Sequence, residues 1–566
     1  MSTIAPPQPN GHTPASGASR LCDWVQGLFV DARQARNQVL RETQWGEWLQ
    51  GYWGTLWPET LPSYKAPITV NETKLLILQE LSDLTDNSPK IFVTSNRQTG
   101  ERDQLVEQAI QTYWQNQFVD MTLLEAYADA AIWPCGFLEV VWDELAAHGE
   151  GEIQVRARHP QSVYPDPRAT SDEDWRYVVT EDVMDTVEVR QHWPETGRHV
   201  RPDAGTHDST QSDQPAWLQG GTLGSPLYPM GSPQPSGGLE TGVRVYTCYV
   251  RDPTLEYRGE DYKDAEGDTH LRRVARYKYP EGRLIQCTRD VLLYEGPNPY
   301  KGGFPLIQVK LQPSIHAFWP KQSLVSEVLE LQRGSDKLES LVLENALRMN
   351  RGIWLIDANA GINPKTFADV PGQVILKRPG SQVTAEYPRP MPPEMLQQGE
   401  RLREKMREVL GFQRARQGQA SQGNVSPELT ETEISQSMGL TRLRSRLLLK
   451  AVRKLAGRLL LMMAQFYTTT RLIPCVIEEA WQPLVWQPLL SPERYAVHVD
   501  PASFAVLSKM AYKRLILALG KMGRIPNEDF LRELELPQYK QMAKKLAEEQ
   551  QAAAQAKAAQ RGPRRR

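Results

Sequence analysis

The sequence predicts a multidomain α+β protein assembled around one very long helix. Three observations carry that expectation. Residues 428–470, about 43 in number, keep a helical period throughout, and at 1.5 Å per residue they reach roughly 65 Å. Segments with strand character cluster between 137 and 293, flanked by helical stretches, as in an α+β domain. Two further helical stretches, 322–352 and 394–410, enclose a short module whose β-like pieces are separated by Asn363-Pro364, Pro371-Gly372 and Pro379-Gly380.

Length and charge set the limits. A chain of 566 residues holds several domains' worth of sequence, and its formal net charge of −2 excludes a globally basic nucleic-acid binder. Contact with nucleic acid must therefore be local. Cys22, Cys135, Cys248, Cys287 and Cys475 are odd in number and lack CxxC spacing, which predicts reduced thiols and neither a disulfide framework nor a zinc site. No uncharged run in the long helix spans a bilayer, so no membrane association is expected.

In chain order, residues 1–20 are rich in Pro, Ser, Gly and Ala and read as a disordered arm without the apolar core of a signal peptide. Residues 24–48 read as a helix, followed by the cluster Trp45, Trp48, Tyr52, Trp53 and Trp57, whose lack of interleaved basic residues fits core or subunit interface better than base stacking. Residues 68–84 bring Leu76, Ile77, Glu80, Leu81 and Leu84 onto a helical period, and 90–94 reads as a strand. Helices are expected at 102–117 and 121–133, and strands at 137–142, 153–159, 243–250, 272–279 and 282–293. His159 to Pro167 forms a proline-clamped turn between two of them. Residues 195–242 lose apolar periodicity and read as a long surface insertion; His192, His199, His207, Asp203 and Asp208 within or beside it match no metal-ligand spacing.

In the 322–352 helix Leu324, Val328, Leu331, Leu338, Val342 and Met349 step by threes, fours and their multiples. Short strands are expected at 353–356, 374–377 and 383–387. The 394–410 helix has a thin apolar seam of Met395, Leu402, Met406 and Val409, covered by Glu400, Glu404, Arg403 and Arg407, and Gly411 ends it. Residues 412–427 then form a polar loop with Arg414 and Arg416, Gln413, Gln417, Gln419, Gln422 and Asn424. The long helix carries a basic row, Arg442, Arg446, Lys450, Lys454 and Arg458, beside two apolar ridges. That row either pairs with acids elsewhere in the chain or meets a neighbouring subunit or a polyanion. A β-like stretch to Val499 precedes helices at 503–521, 527–535 and 537–560 and a final Arg564-Arg565-Arg566.

Catalytic constellations are missing from the sequence. No GxxxxGK[ST], GxSxG, HExxH or EF-hand pattern occurs, and acid pairs such as Glu478-Glu479 read as solvated faces. No enzyme, cofactor or metal is expected.

The order of these features resembles the portal, or head-to-tail connector, proteins of tailed bacteriophages. The points of likeness are the Trp/Tyr-rich opening, Val70-Asn71 before an amphipathic helix, the Pro89-Lys90 strand and the Val163-Tyr164-Pro165-Asp166-Pro167 turn. Gly303-Phe304-Pro305-Leu306 before a long helix, a small β module between two helices, and a polar loop feeding a long basic helix complete the set.

That resemblance implies a portal fold: an α+β wing (21–318), stem helices (319–350 and 393–411), a small β clip (351–392), a channel loop (412–427), a long spanning helix returning to the wing (428–502) and a helical crown with a basic tail (503–566). It implies a homo-oligomeric ring, usually of about twelve copies, at one capsid vertex of the virion, assembled in the host cytoplasm. Its partners would be double-stranded DNA without sequence preference, the large terminase, adaptor or neck proteins, and the major capsid and scaffolding proteins. Gln413, Arg414, Arg416, Gln417, Gln419, Gln422 and Asn424 would approach DNA as weak phosphate contacts. On the residues alone, another virion neck or scaffold component remains open, as does a nucleic-acid-binding protein; oligomeric state separates them.

Overall fold

The computed structural model describes residues 14–58, most of 61–202, 242–263, 269–362 apart from 352, 376–386, 390–412, 439–477, 480–486, 495–499 and 517. The chain divides into two compact units, residues 1–411 with 443–504, and 412–442 with 505–566. The architecture below is that of the first.

The helical opening comprises α1 (Pro14–Val39), α2 (Glu42–Trp53) and α3 (Glu72–Thr85), followed by β1 (Ile91–Ser95), α4 (Gly100–Asn116) and α5 (Val119–Ile132). The β-rich region comprises β2 (Gly136–Asp143), β3 (Glu152–Arg158), β4 (Val163–Pro165), β5 (Tyr177–Asp185), α6 (Thr186–His192), β6 (Gly242–Val250), β7 (Leu255–Lys263), β8 (Thr269–Tyr277), β9 (Arg283–Cys287), β10 (Leu292–Pro297) and β11 (Leu306–Val309). Then come α7 (Leu324–Arg351), β12 (Ile353–Ile356), β13 (Val383–Glu386), α8 (Pro393–Leu410), α9 (Gly439–Phe466), β14 (Arg471–Ile477), β15 (Ala480–Trp486) and β16 (Tyr495–Val499). The chain is thus a mixture of helix and strand, as the α+β expectation requires.

An antiparallel five-stranded sheet in the order β10-β9-β6-β5-β4 is covered by α1. Leu21, Cys22, Val25, Leu28, Phe29 and Ala32 recur at helical spacing and meet alternate strand residues: Tyr177 and Val179 on β5, Tyr246, Cys248 and Val250 on β6, Ile285 and Cys287 on β9. A three-stranded sheet, β11-β2-β3, packs under α5. The approach is so close that a Cβ on Gly136 would fall 2.2 Å from the Ala126 carbonyl oxygen.

Several boundaries differ from expectation. The first helix reaches back to Pro14, into the stretch expected to be a disordered arm; proline is well placed at a helix start, where no N–H partner is needed. The single helix expected over 24–48 is two. Arg41 is extended, at φ −65° and ψ 136°, and its N–H donates to the Gln44 side chain, so a new helix starts at Glu42. The expected insertion at 195–242 is ordered in its first residues, where Gly197–His199 forms a 3-10 turn and Val200 is buried. Its remainder, 203–241, lies outside the described residues. Residues 376 and 377, expected in a strand, are not in one. The long helix ends at Phe466 and not at 470, because the β-branched run Thr468-Thr469-Thr470 hands the chain over to β14. Its expected start, 428–438, lies outside the described residues, as do the crown helices over 503–560 apart from residue 517.

Candidate functional site

Two structural features bear on function: the long helix α9, and the helix pair α7 and α8 with the strands between them. The loop residues Gln413, Arg414, Arg416, Gln417, Gln419, Gln422 and Asn424 lie outside the described residues.

Along α9 the basic row divides. Lys454 Nζ lies 2.5 Å from Asp172 and 2.6 Å from Glu173; burial works against its charge, but these carboxylates outweigh it and hold the ammonium above its ordinary pKa. The Arg458 guanidinium donates to the carbonyls of Lys301 at 3.0 Å, Gly303 at 3.3 Å and Phe304 at 2.7 Å, and burial lowers its pKa. One residue type thus reads an entire backbone turn, which a lysine with its point charge does not do. Gln465 completes the clasp by accepting from the Lys301 N–H at 3.0 Å and donating to the Pro299 carbonyl. Gly302 passes so near the helix, at φ +82°, that a Cβ would meet Leu461 Cδ1 at 2.7 Å. Arg446, Lys450 and the off-row Arg453 are exposed. Arg442 is exposed too and belongs to the second unit.

One cation beside the row is internal: at i, i+4 spacing it heads the apolar ridge of Leu448, Val452, Ala456 and Leu460, all of them buried. Arg444 is paired with Glu80 at 3.0 Å and donates to the Leu410 carbonyl at 3.1 Å. It ties α9 to α3 and to the end of α8.

The α7 helix holds the segment before α3 by its backbone. Gln332, Asp336 and Ser340, spaced by four, form a polar ladder on one face. Ser340 Oγ accepts from the Ile68 N–H at 3.0 Å, Asp336 Oδ1 from the Val70 N–H at 3.1 Å, and Gln332 from the Thr73 N–H at 3.3 Å while donating to the Val70 carbonyl at 2.7 Å. Asn71 then caps α3 by accepting from the Lys74 N–H at 3.0 Å. Three polar residues at i, i+4 and i+8 were the available signal for this contact in the sequence.

Gly334 of α7 faces Leu402 of α8, while Glu339 reaches Gly399 and Arg403, so the two helices run antiparallel. Arg403 also pairs with Glu400 at 3.0 Å, and Arg407 with Glu72 at 2.7 Å. Between the helices, β12 and β13 form an antiparallel hairpin in the register Ile353↔Glu386 to Ile356↔Val383. Asp357 steadies its mouth by accepting from the Gln382 N–H at 2.7 Å.

The proline-clamped turn at 159–167 is built around charge as well as proline. His159 Nδ1 accepts from the Gln161 N–H at 3.2 Å, and its ring meets Trp133 at 4.4 Å. Burial, with the nearby Arg36 charge, pushes its pKa down to about 4. Arg36 is itself buried over the Tyr164 ring at 4.3 Å, donating to the Gln161 carbonyl at 2.7 Å. Asp166 binds Arg176 at 2.7 Å and accepts from the Arg168 N–H at 3.0 Å.

The described residues thus show two antiparallel helices with a strand pair between them and a long helix clasped to the β-rich region, and among them no group of three or more His, Cys, Asp and Glu could hold a metal ion. The chain matches the family described as phage P22-like portal protein over residues 59–564. It belongs to that family. No curated protein matches the sequence. This portal chain is therefore a structural component of a bacteriophage head-to-tail connector at the capsid vertex. The family match begins beyond α2, so the helix that covers the five-stranded sheet lies outside it. Among the described residues no helix of the portal chain is long and apolar enough to cross a membrane.

Proposed function

We propose that the chain is one subunit of a closed ring at a single capsid vertex, forming the channel through which double-stranded DNA enters and later leaves the head. The observation that carries this reading is the family match over 59–564, which spans nearly the whole chain. In this reading α7 and α8 are the stem, the β12–β13 hairpin belongs to the clip, and the β-rich region is the wing that α9 crosses. The clip docks the large terminase during packaging and an adaptor or neck protein afterwards. Residues 412–427 form the channel loop and 503–566 the crown, with capsid and scaffolding proteins meeting the ring from outside.

A channel has to let the duplex slide, so it calls for sequence-blind phosphate contacts repeated round a ring. Arg414 and Arg416, set among Gln413, Gln417, Gln419, Gln422 and Asn424, fit that need. The exposed Arg446, Lys450 and Arg453 of α9 offer a further cationic edge to a neighbouring subunit or to DNA.

The test is the mass of the purified full-length chain by native mass spectrometry, with negative-stain images of the same sample and of one co-expressed with its capsid and scaffolding proteins. Closed rings with a central hole support the reading. A monomer or dimer under both conditions overturns it.

A further inference from the structure

Three cysteines meet where α1 covers the five-stranded sheet. Cys22 on α1, Cys248 on β6 and Cys287 on β9 are buried in the same core. Gln26, one turn after Cys22 on the same face of α1, donates from its side chain to the Arg289 carbonyl, two residues beyond Cys287. That bond sets Cys22 level with Cys287, and the Cys287 thiol donates to the Cys22 sulfur. The contact draws the Cys22 pKa below that of an ordinary thiol and raises that of Cys287, so Cys22 ionises first and is the nucleophile of the two.

Cys248 is placed differently. The register pairs Tyr246 with Cys287 and Cys248 with Ile285, so Cys248 and Cys287 are diagonal neighbours, roughly 7–8 Å apart. A disulfide needs Cβ atoms about 3.5–4.5 Å apart. Burial also pushes the Cys248 thiol up to about 12, which keeps it protonated. We infer that Cys22 and Cys287 are a redox modification site, a thiol pair that a peroxide converts to a disulfide joining α1 to β9. The Cys22 thiolate attacks one oxygen of hydrogen peroxide and hydroxide leaves, giving a sulfenic acid. The Cys287 sulfur then attacks that sulfur, the S–O bond breaks and water leaves. Two thiols and one peroxide become one disulfide and two waters; the sulfurs lose two electrons and the peroxide gains them. Cys22 is 1% and Cys287 0% exposed, so the oxidant reaches them when α1 lifts. In a reducing compartment the pair stays as thiols, and an oxidising one closes the bond. The bond fastens a helix that precedes residue 59, where the family match begins, to a sheet within the matched region.

The test treats the purified full-length chain with hydrogen peroxide, alkylates the remaining thiols in denaturant and maps tryptic peptides without reduction. The expected product is peptide 21–33 joined to peptide 284–289, two hydrogens lighter than their sum and separated by dithiothreitol. Both peptides recovered singly, or 284–289 joined to the Cys248 peptide, overturns the assignment. Limited proteolysis gives an independent reading. Cutting within α1 should slow on the order of tenfold in the oxidised chain, and dithiothreitol should restore it. Cys22→Ala and Cys287→Ala should be cut at the same rate with and without peroxide; slowing in either as large as in the unmodified chain overturns the pair as its cause. The peptide map uses the unmodified chain and so decides the assignment even if a variant fails to fold.

Discussion

Arg444 and Glu80 form a buried ion pair, 3.0 Å apart, with 6% and 2% of their side chains exposed. It joins the spanning helix to the helix that follows the Val70-Asn71 segment. Removing one partner strands the other charge in the interior, so Glu80→Ala should destabilise the chain by about 3–5 kcal/mol. A Glu80→Leu, Arg444→Leu double variant should lose less than Glu80→Ala does. Denaturant titration of the unmodified chain, Glu80→Leu, Arg444→Leu and the double variant completes the cycle; a double-variant loss equal to the sum of the two single losses would show that the pair carries no coupling.

Arg458 offers a second test of how α9 is held. Arg458→Lys keeps the charge but loses the fork that reaches three carbonyls, and it should cost about 1–3 kcal/mol by leaving carbonyl groups without donors. Gly302→Ala should be costly for a different reason, its φ of +82° and the 2.7 Å approach to Leu461. Proteolysis of the 298–304 loop should become faster in both variants, with little change elsewhere in the peptide map.

His159 makes the fold sensitive to acid. Its folded-state pKa, about 4, lies below the ordinary 6.5, so the unfolded chain takes up the proton first. This contribution to stability is complete above about 6.5 and is lost as pH falls from there toward about 4. His159→Asn, whose side-chain oxygen can still accept from the Gln161 N–H, should flatten the stability-against-pH curve in that window. Parallel curves for the two proteins between pH 6.5 and 4 would place the acid sensitivity elsewhere.

Local chemistry made some elements legible in the sequence and long-range pairing hid the rest. The 394–410 helix was readable because prolines precede it and Gly411, at φ +89°, ends it; the structure places it at Pro393–Leu410. β12 was readable from its apolar run and the turns beyond it. By contrast, β1 pairs with β16, some four hundred residues later, and nothing local announces that partner. The basic row of α9 could be seen as a row, but its partners could not. Asp172, Glu173 and the carbonyls of 301–304 are brought to Lys454 and Arg458 only by the fold. β7 escaped notice because Glu, Arg, Gly, Asp and Lys interrupt its apolar alternation, as suits a ribbon with little core beneath it. Arg36 was hidden among the aromatic residues that surround it.

The channel reading makes its own quantitative demand on Arg414 and Arg416. If these side chains meet phosphates, the affinity of assembled rings for duplex DNA should fall with salt, with a log–log slope of about 0.9 for each phosphate neutralised. Replacing both with glutamine preserves the polar character of the loop and removes only charge. The slope should then shrink toward zero, in proportion to the subunits that face DNA at once, while ring formation is unaffected. Substituting Arg446, Lys450 and Arg453 with glutamine provides the contrast. A loss of slope there, with none from the loop variant, would move the DNA contact from the loop to the exposed edge of α9. A loss of ring assembly in that variant would make the edge a subunit contact. The measurement is a salt titration of DNA binding on rings already verified by negative stain, so failed assembly and failed DNA contact are read separately.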